Sequence, residues 1–191
     1  MAGRPRDPEL EQRLLSATWL LLTSSGYDAL TMARVAAEAN AHRSDVYRRW
    51  QTKAQLVTAA LAQHLPPIPE TDTGSLYHDL RANLDGLATS WSAPWMDGLL
   101  GLLADLRRDP EADAAFQAMA SRRRRILAAA IDRAVRRGEI TEPVNPYLPG
   151  DLLEGPLMHR QMIARRPITS EDLDLIALSA YRLLTRTLVV P

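Results

Sequence analysis

Residues 31–53 read TMARVAAEANAHRSDVYRRWQTK. Thr31 suits a helix N-cap, because its hydroxyl oxygen can accept a backbone N–H that has no partner in the first turn. Val35, Ala36 and Ala39 then recur at helical spacing, so a short helix runs to about Ala39. Asn40-Ala41 interrupts it. His42 to Arg49 form a second short helix anchored by Val46, Tyr47 and Trp50. Two short helices joined by such a turn pack steeply and project the second one outward, which is the logic of a helix-turn-helix. The leading turn of that second helix is His42, Arg43, Ser44 and Asp45, short polar groups able to reach base edges in a major groove about 12 Å wide. Arg43 has the fork geometry for a guanine. Tyr47, Arg48, the Thr31 hydroxyl and Lys53 are better placed for phosphates, which position a protein without reading sequence. Lys53 has an added advantage, since a helix N-terminus already presents free N–H groups to an anion. Arg34 completes the candidate set on this side.

The surrounding chain agrees with that reading only after its charge is divided. The 191 residues carry 23 basic and 23 acidic side chains, and a net charge of zero argues against a nucleic-acid partner. Residues 1–65 hold eight basic against six acidic groups, however, and the remainder carries the compensating acidic excess. Arg43, Arg48, Arg49 and Lys53 form one cationic cluster, and Arg4 and Arg6 a second. Lys53 is the single Lys in the chain. With no Cys, disulfide scaffolds and thiolate chemistry are excluded, and with four scattered His neither a structural metal nor a cofactor is expected. The polar N-terminus and the lack of a long apolar run point to a cytoplasmic protein with no membrane partner.

Strand signals are nearly absent, so the class is all-α. Leu10, Leu14, Ala17, Leu21 and Leu22 mark a first helix that stops at Ser24-Ser25-Gly26. Lys53 opens a fourth along Leu56, Val57, Ala60, Leu61 and Leu65. After the Pro66-Pro67-Ile68-Pro69 segment the helices lengthen: Leu76 to Trp91, Trp95 to Leu106 with Pro94 in its first turn, and Pro110 to Arg137 closed by Gly138. The last two span Pro149 to about Arg165 and Ser170 to about Val189. The expected domains are 1–65, a helix-turn-helix unit with its connecting helix; 66–74, a linker; and 75–191, a bundle of longer helices.

At this point the chain resembles the TetR family of transcriptional regulators. Gly26-Tyr27 stands before the helix that Thr31 initiates, Tyr47 and Trp50 form the aromatic pair around two polar residues, and Lys53 opens the fourth helix. Asn40-Ala41 replaces the family's usual Gly-Val, and Trp50 its usual Phe; His42 and Asp45 are less common at their places. Asn tolerates the left-handed conformation that Gly supplies, so the turn is expected to survive. More weakly, residues 72–76, 137–140 and 151–157 with Arg160 resemble the C-terminal domain of one large branch. The resemblance implies a homodimer on a double-stranded DNA operator, with the last two helices paired into a four-helix bundle. It also implies a small-molecule effector held among the central helices, whose binding tilts the fourth helix.

Candidate residues follow for both. Leu153, Leu157, Leu173, Ile176, Ala180, Tyr181, Leu184 and Leu188 are the expected dimer face, and Leu175, Leu178 and Leu183 suggest burial on more than one side. Trp91, Trp95, Met96, Leu99, Phe116, Met119, Arg123, Met158 and Met162 are the candidate pocket, rich in adaptable side chains. Arg123 lies on the inward stripe, where an ion pair with a carboxylate such as Asp105 is favoured over a contact with an acidic ligand. No phosphate loop, nucleophile elbow or metal-binding His pair is present, so an enzyme is not expected. The expected function is a repressor released by its effector; the alternative is a DNA-binding dimer controlled by a protein partner.

Overall fold

A computed structural model describes residues 7–145 and 147–186; Arg4, Arg6 and Leu188 lie outside them. The described residues contain helices and no strand. In order these are α1 (Pro8–Ala29), α2 (Met32–Glu38), α3 (Arg43–Tyr47), α4 (Lys53–His64), α5 (Leu76–Trp91), α6 (Leu99–Leu106), α7 (Pro110–Arg137), α8 (Leu148–Met158) and α9 (Ser170–Leu184). They divide into two compact units, Met1–Leu65 with Ala93–Met119, and Pro66–Ser92 with Ala120–Pro191.

In the first unit, Asp7 caps α1 by accepting the N–H groups of Glu9 and Leu10 at 3.0 and 3.3 Å. Glu9 and Glu11 complement the helix dipole. Leu14, Leu15, Ala17, Leu21 and Leu22 are buried as one stripe, and α1 packs on α4, α2 and α6. Gly26 breaks the regular helix at φ 78°, ψ 171°, a conformation open to little but glycine, and this turns Tyr27 and Leu30 into the core.

Thr31 accepts the Arg34 N–H at 3.2 Å, which starts α2 where its sequence does. At the other end the Asn40 N–H bonds the Ala37 carbonyl and the Ala41 N–H that of Ala36, the paired bonds of a Schellman cap. Asn40 adopts φ 50°, the left-handed conformation expected of it. Val35, Ala36, Val46, Trp50, Leu56 and Val57 close the small core around the two helices. Each large member contributes about 1.5 to 3 kcal/mol by leaving water.

The second unit has its core on Leu76, Leu80, Leu84 and Leu87 of α5, Leu127 and Ala134 of α7, Leu153 and Leu157 of α8, and Leu173, Ala177, Ala180 and Leu184 of α9. Two of the sequence segments singled out for the C-terminal resemblance meet here. The Glu139 carboxylate accepts the Leu76 N–H that opens α5, at 3.0 Å, and the Arg137 Nε at 2.7 Å. Asp79 is fully buried; its Oδ1 accepts the Thr73 N–H and hydroxyl at 2.8 and 2.7 Å, while Arg133 and Arg137 approach Oδ2. Gly138, at φ 77°, turns the chain between Arg137 and Glu139 so that both reach α5. Elsewhere in the unit, Arg160 bonds Asp172, whose other oxygen closes a capping box with Thr169 at the start of α9.

Three boundaries differ from expectation. The segment expected as one helix over 95–106 is a 3-10 turn, Pro94–Gly98, followed by α6, because Pro94 opens a tight turn and Gly98 packs so close to Tyr27 that a Cβ there would lie 3.0 Å from Tyr27 Cβ. Beyond α8 the chain widens into a π-turn, His159–Ile163. It stops at Arg165, φ 49°, where Pro167 forbids continuation. The second short helix is α3 alone, with Arg48 already its C-cap. The end expected near Val189 lies outside the described residues.

Candidate nucleic-acid interface

The leading turn of α3 is open. His42, Arg43 and Ser44 are exposed, and among the described residues Arg43 has neither a side-chain hydrogen bond nor an ion pair. Val46 and Trp50 hold the opposite side of the segment in the core. Thr31, Tyr47 and Arg48 are exposed on the same unit, and the Thr31 oxygen that caps α2 still has its O–H to donate. Arg34, also exposed, donates at 2.7 Å to the Ala29 carbonyl at the end of α1.

Not every group in the cationic cluster faces outward. Arg49 donates at 3.1 Å to the Asp45 carbonyl and at 3.3 Å to that of Asp7, with Glu11 at 3.8 Å and its side chain only 8% exposed. It ties α3 to the start of α1. Asp45 accepts the His42 N–H at 3.2 Å, which caps α3, and also pairs with Arg48. Lys53 is half-buried: its ammonium donates at 3.1 Å to the Tyr27 carbonyl and lies 3.9 Å from the centre of the Tyr27 ring. Thr52 caps α4 by accepting the Gln55 N–H at 3.2 Å.

Residues 14–60 match the family model of bacterial regulatory proteins of the tetR family, and residues 70–180 that of the tetracyclin repressor-like C-terminal domain. The chain belongs to the TetR family. An HTH-type transcriptional regulator of Mycobacterium tuberculosis is 33% identical over 180 residues, 91% of this chain and 89% of that protein. A DNA-binding transcriptional repressor of Mycobacteroides abscessus is 36% identical over 157 residues, 77% of this chain and 79% of its own length. The crystal structure of a TetR family transcription regulator superposes with a TM-score of 0.71 at 25% identity, covering 96% of this chain and all of that one. Bacillus subtilis FadR, solved in complex with stearoyl-CoA, shares the fold with a TM-score of 0.60 at 13% identity over 93% of this chain and 98% of its own. The protein is a DNA-binding transcriptional regulator of this family, and no helix among its described residues is long and apolar enough to cross a membrane.

In this TetR-family chain the candidate pocket residues fall in both units. Trp95, Met96, Leu99 and Met119 are buried and Phe116 half-buried in the first; Met162 is buried and Trp91, Arg123 and Met158 half-buried in the second. Arg123 does not make the carboxylate pair expected of it. Its guanidinium bonds the Pro66 carbonyl and the Ser90 hydroxyl instead, while Asp105 accepts the Tyr27 hydroxyl. Burial holds the Arg123 pKa below its ordinary value, with Glu154 opposing. A separate cleft of about 150 Å³ is lined by Arg124, Leu127, Ala128, Ile131, Asp132, Val144, Pro149 and Gly150.

Of the expected dimer-face residues, Leu153, Leu157, Leu173, Ala180 and Leu184 belong to the core of the second unit, and Ile176 and Tyr181 are half-buried. Leu175 and Leu183 on α9 are exposed, and Leu178 is half-buried.

Proposed function

We propose that the protein is a homodimeric repressor that binds a palindromic operator and releases it when a small-molecule effector binds. Residues 31–53 read DNA within the domain 1–65, residues 66–74 link, and residues 75–191 sense the effector and dimerise. The observation that carries this reading is the leading turn of α3, where Arg43 stands exposed and uncommitted beside His42 and Ser44 while Val46 and Trp50 fix the backbone behind it. Thr31, Arg34, Tyr47, Arg48 and Lys53 are the phosphate-facing set; Asp45 acts there through the cap of α3 and through Arg48.

Repression is supported by the Mycobacteroides abscessus repressor, 36% identical over most of both chains. The dimer is supported by the apolar residues that α9 leaves outward, Leu175 and Leu183, beside half-buried Ile176, Leu178 and Tyr181. The effector is supported by Trp91 and Met158 of the second unit, large side chains left partly uncovered, and by the Arg123 cation, which no carboxylate among the described residues neutralises directly. Such a regulator works in the cytoplasm.

Selection of bound duplexes from a random pool tests the reading. An inverted repeat is the expected product, because two copies related by a two-fold axis read two half-sites. Enrichment of a single, asymmetric site, or of none, overturns it.

A further inference from the structure

Tyr27 is buried in the first unit among Lys53, Gly98, Gly101 and Asp105. It is 3% exposed, and its hydroxyl donates to Asp105 of α6 at 2.6 Å. Gly98 and Gly101 form its socket: a Cβ on Gly101 would lie 2.7 Å from Tyr27 Cδ1, and one on Gly98 would lie 3.0 Å from Tyr27 Cβ. Any larger residue at position 101 would displace the ring. Burial first, and the hydrogen bond to Asp105 next, push the phenol pKa well above its ordinary value, so it remains an O–H donor at any physiological pH.

The same residue holds the Lys53 ammonium from two directions, by its carbonyl at 3.1 Å and by its ring face at 3.9 Å. An ammonium has three N–H donors. One goes to the Tyr27 carbonyl and the ring attracts the charge electrostatically, which leaves donors for a ligand oxygen. An unrestrained Lys loses rotamer freedom on fixing its head group, and a head group fixed in advance avoids much of that cost on binding. Next to it, Thr52 donates to Asp109, and Gln55 donates to Asp109 at 3.4 Å and to Glu111 at 3.1 Å. The N-cap and first turn of α4 are thus bonded to Asp109, between α6 and α7, and to Glu111 at the start of α7.

We propose that Tyr27 is a positioning residue for DNA binding: it presets the Lys53 ammonium for a phosphate, and its bond to Asp105 makes α6 part of that setting. The inference rests on the reading of Lys53 as a phosphate contact. Tyr27 acts through Lys53 and touches no DNA itself, so its effect depends on the ammonium being there.

A double-mutant cycle tests it, using the full chain, a fluorescently labelled mixed-sequence duplex and anisotropy measured over a range of salt concentrations. Lys53→Ala is expected to weaken binding and to lower the salt slope by about one unit. Tyr27→Phe keeps the ring and the carbonyl but frees the ring from Asp105. It is expected to weaken binding about threefold with Lys53 present and not at all in the Lys53→Ala background. Asp105→Ala, which breaks the same bond from α6, repeats that pattern and serves if Tyr27→Phe folds poorly. A purely structural bond lowers the melting temperature equally in both backgrounds and leaves the affinity of the folded protein unchanged; that result overturns the inference. If Lys53→Ala leaves the salt slope intact, the phosphate contact itself is wrong and the inference falls with it.

Discussion

The Arg123 guanidinium donates to the backbone carbonyl of Pro66 at 2.9 Å and to the Ser90 hydroxyl at 3.1 Å. Pro66 follows directly on Leu65, the C-cap of α4, and Ser90 lies near the end of α5. A half-buried cation therefore fixes the start of the linker by a carbonyl rather than a carboxylate. Arg123→Gln keeps a polar head too short to span both acceptors. It is expected to cost about 1 kcal/mol in a urea titration, the scale of a partly exposed charged hydrogen bond. An unchanged midpoint would show that the linker is held without it.

Arg43 and Arg49 lie in the same basic cluster but face opposite ways, so they separate binding from stability. Arg43→Ala is expected to leave the melting temperature unchanged, to lower operator affinity by about 1 to 3 kcal/mol and to relax preference at one base position. Arg49→Ala removes the bonds to the Asp45 and Asp7 carbonyls. It is expected to destabilise the fold by about 1 to 3 kcal/mol while the salt slope of the folded fraction stays constant. The reverse pairing of effects would mean that the two orientations are exchanged in the DNA-bound protein.

Asn40 carries the turn of the helix-turn-helix at φ 50°. Asn40→Gly removes the Cβ from that conformation and is expected to stay within a few tenths of a kcal/mol of the parent. Asn40→Val places a β-branched side chain there and is expected to cost roughly 1 to 2 kcal/mol. Thermal melts of the two variants decide it; equal melting temperatures would deny strain at this position.

The parts legible in the sequence were those fixed by neighbours in the chain. Thr31 as a cap, Asn40 and Gly138 as left-handed residues, and Val46 and Trp50 as the inward side of the α3 segment all follow from local rules, whereas Tyr47, expected as a third anchor of that helix, is 47% exposed. What escaped depends on groups far apart. Tyr27 and Asp105 are 78 positions apart and Thr52 and Asp109 are 57 apart, so no spacing announces either bond. The visible signal was Gly26-Tyr27 itself, a glycine before an aromatic residue. Arg49 looked like Arg43 and Arg48 because composition carries no direction. The apolar stripe of α9 was visible, but which leucines meet the chain's own core and which remain outward depends on where α5 and α8 lie.

Glu154 on α8 is expected to contribute its own part of the pH dependence of stability, which one substitution removes. Burial raises its pKa above the ordinary carboxylate range; Arg124 opposes this, Asp151 adds to it, and Arg123 opposes it more weakly. A raised folded-state pKa means that the folded chain holds the proton more tightly than the unfolded one. The resulting stability is fully present below the unfolded pKa, about 4.3, and is lost as pH rises through the folded pKa. Glu154→Gln cannot ionise. Relative to it, the parent is expected to lose stability as pH rises from the unfolded value of about 4.3 through the folded pKa, most steeply where the buried carboxyl ionises, and then to level off. Urea midpoints of both proteins across that range give the difference directly. A constant difference, or a parent that gains on the variant toward neutral pH, would show that Arg124 and Arg123 outweigh burial and that Glu154 is held as a carboxylate.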